Sequence, residues 1–134
     1  MRKALFLVAA GLLLSGCAGS QPLTEVQVTM TEFGFQPSEF SVTAGQPVRM
    51  TLVNGGTLEH DFSIMEFPME MTSTEPTGHE MGSGMEPALH MSAMAGESGM
   101  TEFTPTAPGG YEFFCSVEGH KEAGMVGTMT VLAP

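Results

Sequence analysis

Basic side chains are scarce in this chain. Four Lys and Arg stand against fifteen Asp and Glu, a formal net charge of −11 over 134 residues. Two of the four, Arg2 and Lys3, sit at the start, so Arg49 and Lys121 alone serve the remainder. Nucleic acid is bound by clustered Lys and Arg, and this balance excludes it as a partner. An acidic surface serves solubility or fast encounter with basic partners. Cysteine is equally scarce, with Cys17 and Cys115 as the two. No nucleophile–base pair, nucleotide loop or metal centre with an open coordination position is legible, so an enzyme is not expected.

Long apolar runs are also lacking. The run over residues 4–14 is too short to span a bilayer as a permanent helix. It follows Arg2-Lys3 and ends in Leu14-Ser15-Gly16-Cys17, and so reads as an export signal over residues 1–16. Those last four residues resemble the lipobox of bacterial lipoproteins. The expectation is cleavage before Cys17, acylation of that Cys, a tether over residues 17–23 and an extracytoplasmic domain held at a membrane surface by its acyl chains. Cys115 is then the only thiol left, and no intramolecular disulfide can form. An exported protein with one unpaired Cys asks for a reason, such as a metal.

From Thr24 the chain reads as short strands separated by Gly, Pro and Asn. Val26, Val28 and Met30 alternate with polar residues, and so do Val48, Met50 and Leu52. Phe33-Gly34-Phe35-Gln36-Pro37 bends the chain, and Ala44-Gly45-Gln46-Pro47 is a turn signal. A strand from residue 58 to 64 carries His60, with Phe62 and Ile64 on the same side. Tyr111, Phe113 and Cys115 share one face of another strand, and residues 125–131 read as the closing one. Roughly seven or eight strands with almost no helix predict an all-β, Greek-key β-sandwich over residues 24–134.

Residues 65–100 break that pattern. They hold Met65, Met69, Met71, Met81, Met85, Met91, Met94 and Met100, together with His79 and His90, and no run of Val, Ile and Thr. A loop of this length inside a domain is functional, disordered or both, and the segment is expected as a flexible flap. A local helix over residues 86–95, with Pro87 in its first turn, would set His90 and Met94 on one face. Thioethers and imidazoles are soft ligands suited to Cu(I), and His90, Met91 and Met94 form the candidate second Cu(I) site. The alternatives are a loosely packed flap or an apolar docking surface for a redox partner.

The chemistry concentrates in Tyr111-Glu-Phe-Phe-Cys115-Ser-Val-Glu-Gly-His120-Lys-Glu-Ala-Gly-Met125. A Cys-x4-His-x4-Met spacing between two strands presents a thiolate, an imidazole and a thioether from one loop. His60 supplies a second imidazole from another strand. Two His and one Cys with a long axial Met is the blue-copper donor set. A lone buried Cys is usually a small hydrophobe, and a Met opening a strand is commonly core. All four together at this spacing point instead to copper. Asp61 and Ser116, next to His60 and Cys115, can hydrogen-bond between the two ligand segments.

Asn54…His60-Asp61-Phe62, with Gly110-Tyr111-x-Phe113-x-Cys115-x4-His120-x4-Met125-x-Gly127, resembles the plastocyanin/azurin family of cupredoxins. Its loop lengths are nearest the auracyanin and rusticyanin type. Phe35-x-Pro37-x2-Phe40-x-Val42-x-Ala44-Gly45 is similar to the family's N-terminal hairpin. The resemblance covers residues 26–131 apart from the Met-rich segment. It implies equatorial ligation by His60, Cys115 and His120, axial ligation by Met125 and a redox carrier cycling between Cu(I) and Cu(II). It also implies an exposed edge of His120, beside apolar residues such as Ala123, as the electron port. Two features depart from the family: Asp61 stands where it often has Asn, and the 65–100 segment has no general counterpart. The expected function is single-electron transfer between membrane-associated redox proteins by a monomer. The alternative is copper trafficking or sequestration through the Met/His segment.

Overall fold

Period-two alternation builds the first sheet. In the computed structural model, which describes residues 21–74 and 86–134, β1 (Thr24–Thr31) and β4 (Val48–Asn54) run parallel, pairing Val28 with Leu52 and Val26 with Met50. Every second residue of β4 is buried, from Val48 to Asn54. β2 (Gly34–Gln36) folds back on β1. The chain then crosses to the second sheet, where β3 (Glu39–Thr43) lies parallel to the last strand. Gly45, at φ 78, makes the turn before β4, a backbone region that favours glycine.

Among the described residues, ten strands form two five-stranded sheets. β5 (His60–Ile64), β6 (Met69–Thr74), β7 (Leu89–Ala93), β8 (Ser98–Pro105), β9 (Gly109–Phe114) and β10 (Val126–Leu132) complete the order. One sheet runs β2-β1-β4-β8-β6 and the other β3-β10-β9-β5-β7. The all-β sandwich expected from the alternation is the observed architecture.

The segment over residues 65–100 departs from its expected reading. It contributes β6 to one sheet and β7 to the other, and β8 begins inside it at Ser98. No helix forms over residues 86–95. Leu89, Met91 and Ala93 are buried at every second position, and β7 pairs with β5 from His60↔Ala93 to Ile64↔Leu89. The helical reading leaned on His90 and Met94, but a spacing of four also puts two residues on one side of a strand. Sheet pairing with β5 then decided the matter, because it satisfies the backbone groups of both strands at once. Residues 75–85, with His79, Met81 and Met85, lie outside the described residues. So do the expected signal over residues 1–16 and Cys17.

The core lies between the sheets. Val28, Met30, Met50, Leu52 and Phe103 from one sheet meet Phe62, Ile64, Met91, Phe113 and Met129 from the other. Met fills positions where a β-branched residue would have advertised a strand. Phe62 and Phe113 stack, with ring centroids 4.5 Å apart, and Phe35 packs edge-on against both. Phe62 lies two residues after His60 and Phe113 two before Cys115, each on the same side of its strand as its ligand. The aromatic pair therefore ties together the two strands that carry the candidate ligands, at one end of the sandwich. Burial of each ring contributes roughly 1.5–3 kcal/mol.

Candidate metal centre

Three side chains from three different backbone contexts meet at that end. His60 opens β5, Cys115 follows the last residue of β9, and His120 projects from the turn between β9 and β10. The Nδ1 atoms of His60 and His120 are 3.2 Å apart, and the Cys115 Sγ is 3.4 Å from the His120 Nδ1. One donor atom from each of the three lies within 4.8 Å of the others. His60 and Cys115 are fully buried, and His120 is 6% exposed.

The loop that closes the site is fixed by its own backbone. The Cys115 amide donates to the Met125 carbonyl at 3.1 Å, and the Met125 amide donates to the His120 carbonyl at 3.0 Å. The His120 amide in turn donates to Val117 at 3.0 Å. Gly119 and Gly124 take φ values of 82 and 101, as the sequence pattern requires. Met125, fully buried, is therefore bonded through its backbone to both candidate ligands of the loop.

Asp61 joins the His60 strand to the Cys115 loop, as its place next to His60 predicts. Its Oδ1 accepts from the Ser116 amide at 2.8 Å and its Oδ2 from the Ser116 hydroxyl at 2.6 Å. The Asp61 amide donates to the Cys115 sulfur at 3.4 Å. Asn54, with 1% exposure, donates to the Leu58 and Ala93 carbonyls and accepts from the Gly56 amide, which holds the connection leading into His60.

Glu32 is a neighbour that sequence reasoning did not find. Its carboxylate accepts from the Thr57 amide, and from the Thr57 hydroxyl at 2.9 Å. The Thr57 hydrogen bonds, the amide's first among them, lower its pKa to about 2. A side chain on Gly56 would fall 2.8 Å from a Glu32 oxygen and 3.0 Å from the His60 Nε2, so glycine lets these two groups approach. The His60 Nε2 is itself buried without a hydrogen-bond partner among the described residues. Residues 32 and 57 meet because β1 and β4 end together, with Met30 beside Asn54. No local pattern signals such a pairing.

Burial lowers the His60 pKa from its ordinary 6.5, with His120 adding to the effect. Burial raises the Cys115 pKa from 9.0, against the pull of the Asp61 and Val117 amides. Neutral imidazoles are the ligating form, whereas the thiol must give up its proton to a metal. Two convergent imidazole nitrogens and one sulfur, in a buried site with a buried thioether-bearing residue bonded to the loop, fit copper by donor type.

His120 shows less surface than the resemblance implies. The Phe33 ring, itself 46% exposed, packs edge-on against it at 5.2 Å, carried there by a backbone φ of 60. The candidate second Cu(I) set is not gathered on one face. Met91 points into the core at 2% exposure, and Met94 is 50% exposed beyond the end of β7. His90, half-buried, has its Nδ1 on the Ser63 hydroxyl at 2.9 Å. A helix would have collected these three, whereas a strand separates Met91 from the other two.

A family model described as a cupredoxin-like domain matches residues 4–131. The chain is 34% identical to the copper-resistant cuproprotein CopI of Rubrivivax gelatinosus over 79% of its own length and 65% of that protein's. It is 31% identical to auracyanin-B of Chloroflexus aurantiacus over 80% of its own length and 51% of that protein's. The chain thus spans between half and two thirds of these relatives. Among solved structures, reduced auracyanin from Roseiflexus castenholzii superimposes with a TM-score of 0.61 at 25% identity, covering 81% of this chain and 96% of that one.

Proposed function

The chain belongs to the cupredoxin-like family, and on that premise we propose that it is a one-electron carrier rather than an enzyme. The observation that carries this reading is the preformed donor set: the ligand atoms of His60, Cys115 and His120 already converge within 4.8 Å in a buried frame. Copper held there supplies the one-electron Cu(I)/Cu(II) couple. The protein's part is to keep its ligands still. The stacked Phe62 and Phe113 hold the two strands, the backbone bonds among Cys115, His120 and Met125 hold the loop, and the Asp61 carboxylate joins the two. Ligands that are fixed before the electron arrives need little rearrangement when it does. Phe33, half-exposed against His120, marks the end of the molecule where a redox partner would approach.

The chain's work is placed outside the cytoplasm, with the lipobox-like Leu14-Ser15-Gly16-Cys17 as the anchor to a membrane and membrane-associated redox proteins as its partners. A second reading, copper handling, is favoured by the likeness to a cuproprotein named for copper resistance.

The visible spectrum of the copper(II)-loaded protein tests the first reading. An intense thiolate-to-copper band is expected, reversibly bleached by one electron per protein and abolished by Cys115→Ala. A colourless loaded protein sinks it. Copper handling instead predicts further Cu(I) bound when His60, Cys115, His120 and Met125 are all replaced, and lost again when residues 76–85, a stretch that spares β6 and β7, are deleted. Unchanged Cu(I) stoichiometry on that deletion counts against handling.

A further inference from the structure

The hydrogen bonds at Asp61 do not stop at the two ligand segments. Its Oδ1, besides accepting from the Ser116 amide, lies 3.0 Å from the Ser63 hydroxyl, and that same hydroxyl lies 2.9 Å from the His90 Nδ1. Asp61 is 4% exposed and Ser63 fully buried. A buried carboxylate persists only if its oxygens are supplied with donors, and here Ser63 and Ser116 supply them.

Proton counting sets the direction of the chain. A serine hydroxyl carries one hydrogen. Spent on the Asp61 carboxylate, it leaves the Ser63 oxygen free only to accept. The His90 Nδ1 must therefore carry the hydrogen of that contact, which settles a tautomer that distance alone leaves open. The order is His90 Nδ1–H to Ser63 Oγ–H to Asp61, with the Ser116 N–H arriving from the other side. Sheet register supplies this alignment, since Ser63 sits directly opposite His90 in the β5–β7 pair and opposite Phe114 across β9.

We propose that His90 is a positioning residue of the metal centre, acting through Ser63 to orient the Asp61 carboxylate that holds the Cys115 loop to the His60 strand. The redox consequence rests on the copper reading of the site, whereas the geometric part does not. The role also gives β7 a use other than metal ligation, and it leaves only the Nε2 of His90 for the set His90, Met91 and Met94.

Amide hydrogen exchange at Ser116 in the metal-free full chain reads the geometric part. His90→Ala and Ser63→Ala should each speed exchange there by roughly three- to tenfold, the worth of one hydrogen bond. The double variant should add little to either. His90→Asn, whose side-chain amide can donate from nearly the same place, should restore the wild-type rate. Leu132→Ala, at an exposed site, should change nothing. In the copper-loaded protein the same His90→Ala should displace the visible band and the Cu(II)/Cu(I) midpoint, again with recovery in His90→Asn.

Unchanged exchange in His90→Ala overturns the proposal. So does an effect that Asn fails to rescue, which would be packing alone. Altered exchange with an unmoved midpoint and band overturns it too, since Asp61 would then not transmit to the centre. A colourless wild-type protein would defeat the copper reading, and the exchange measurements would still decide the role of His90.

Discussion

The Asp61 amide points at the Cys115 sulfur from 3.4 Å, while the Asp61 carboxylate receives both the amide and the hydroxyl of Ser116. One residue thus grips the far segment at two successive positions, from backbone and side chain at once. The sulfur is held by a donor that becomes a charge-assisted partner when the thiol ionises, and the loop cannot slide along β5 without breaking three bonds together.

Asp61→Ala removes the acceptor and leaves the Ser116 amide and the Ser63 hydroxyl without their partner in a buried setting. We expect a loss of roughly 1–3 kcal/mol in unfolding free energy. Asp61→Asn retains an acceptor oxygen toward Ser116 and Ser63 and should lose clearly less. Urea unfolding of the metal-free variants checks both, and equal losses would show that charge, not hydrogen bonding, is what matters at this position.

Met125→Leu keeps an apolar side chain of similar volume at a fully buried site, a swap that usually costs under about 1.5 kcal/mol. It removes the thioether. Copper should still bind through His60, Cys115 and His120 with its visible band present. The midpoint potential should rise, because loss of a donor destabilises Cu(II) more than Cu(I). Voltammetry of the two proteins side by side measures this, and an unchanged midpoint would place Met125 in the core alone.

Gly127→Ala meets a wall. A Cβ there would stand 2.2 Å from the Phe113 ring and 2.5 Å from the Ser38 carbonyl, and Gly127 lies directly across from Phe113 in the β9–β10 pair. Overpacking of this kind costs about 1–3 kcal/mol or more. The Phe113 ring cannot yield freely, being stacked on Phe62. Thermal unfolding should show a lowered midpoint, and the displaced ring should also weaken copper retention.

The metal-free protein should be most stable in a window of neutral to mildly alkaline pH. The His60 pKa is lowered by burial in the folded state, so the unfolded chain takes up protons first as pH falls below 6.5, and stability declines on that side. Glu32, held near 2 by Thr57, adds a separate loss as pH falls below its ordinary 4.5. The Cys115 pKa is raised by burial, so the unfolded thiol ionises first above 9.0 and stability declines there as well. Chemical unfolding from pH 3 to 10 tests the shape. Bound copper should remove the alkaline flank and steepen the acid one, since it keeps His60 neutral and Cys115 deprotonated while the unfolded chain still takes up protons at both, and its stabilisation by mass action fades as pH falls.

Much of the centre was legible along the chain because its parts are local. Cys115, His120 and Met125 lie on one loop with fixed spacing, Gly119 and Gly124 mark its turns, and the alternation around His60 and Cys115 shows which face each ligand takes. The misreading at residues 89–93 has a physical cause. Leu89, Met91 and Ala93 alternate properly, but Met and Ala carry little β-propensity, and the choice between helix and strand fell to pairing with β5.

By itself, then, the sequence determined the all-β class and the loop that offers Cys115, His120 and Met125 as candidate donors, each of which depends on residue type and short spacing. Tertiary structure alone decided what surrounds that set: Glu32 beside His60, Phe33 against His120 and His90 behind Asp61. Those neighbours come from strands distant in sequence, and only sheet register brings them within reach.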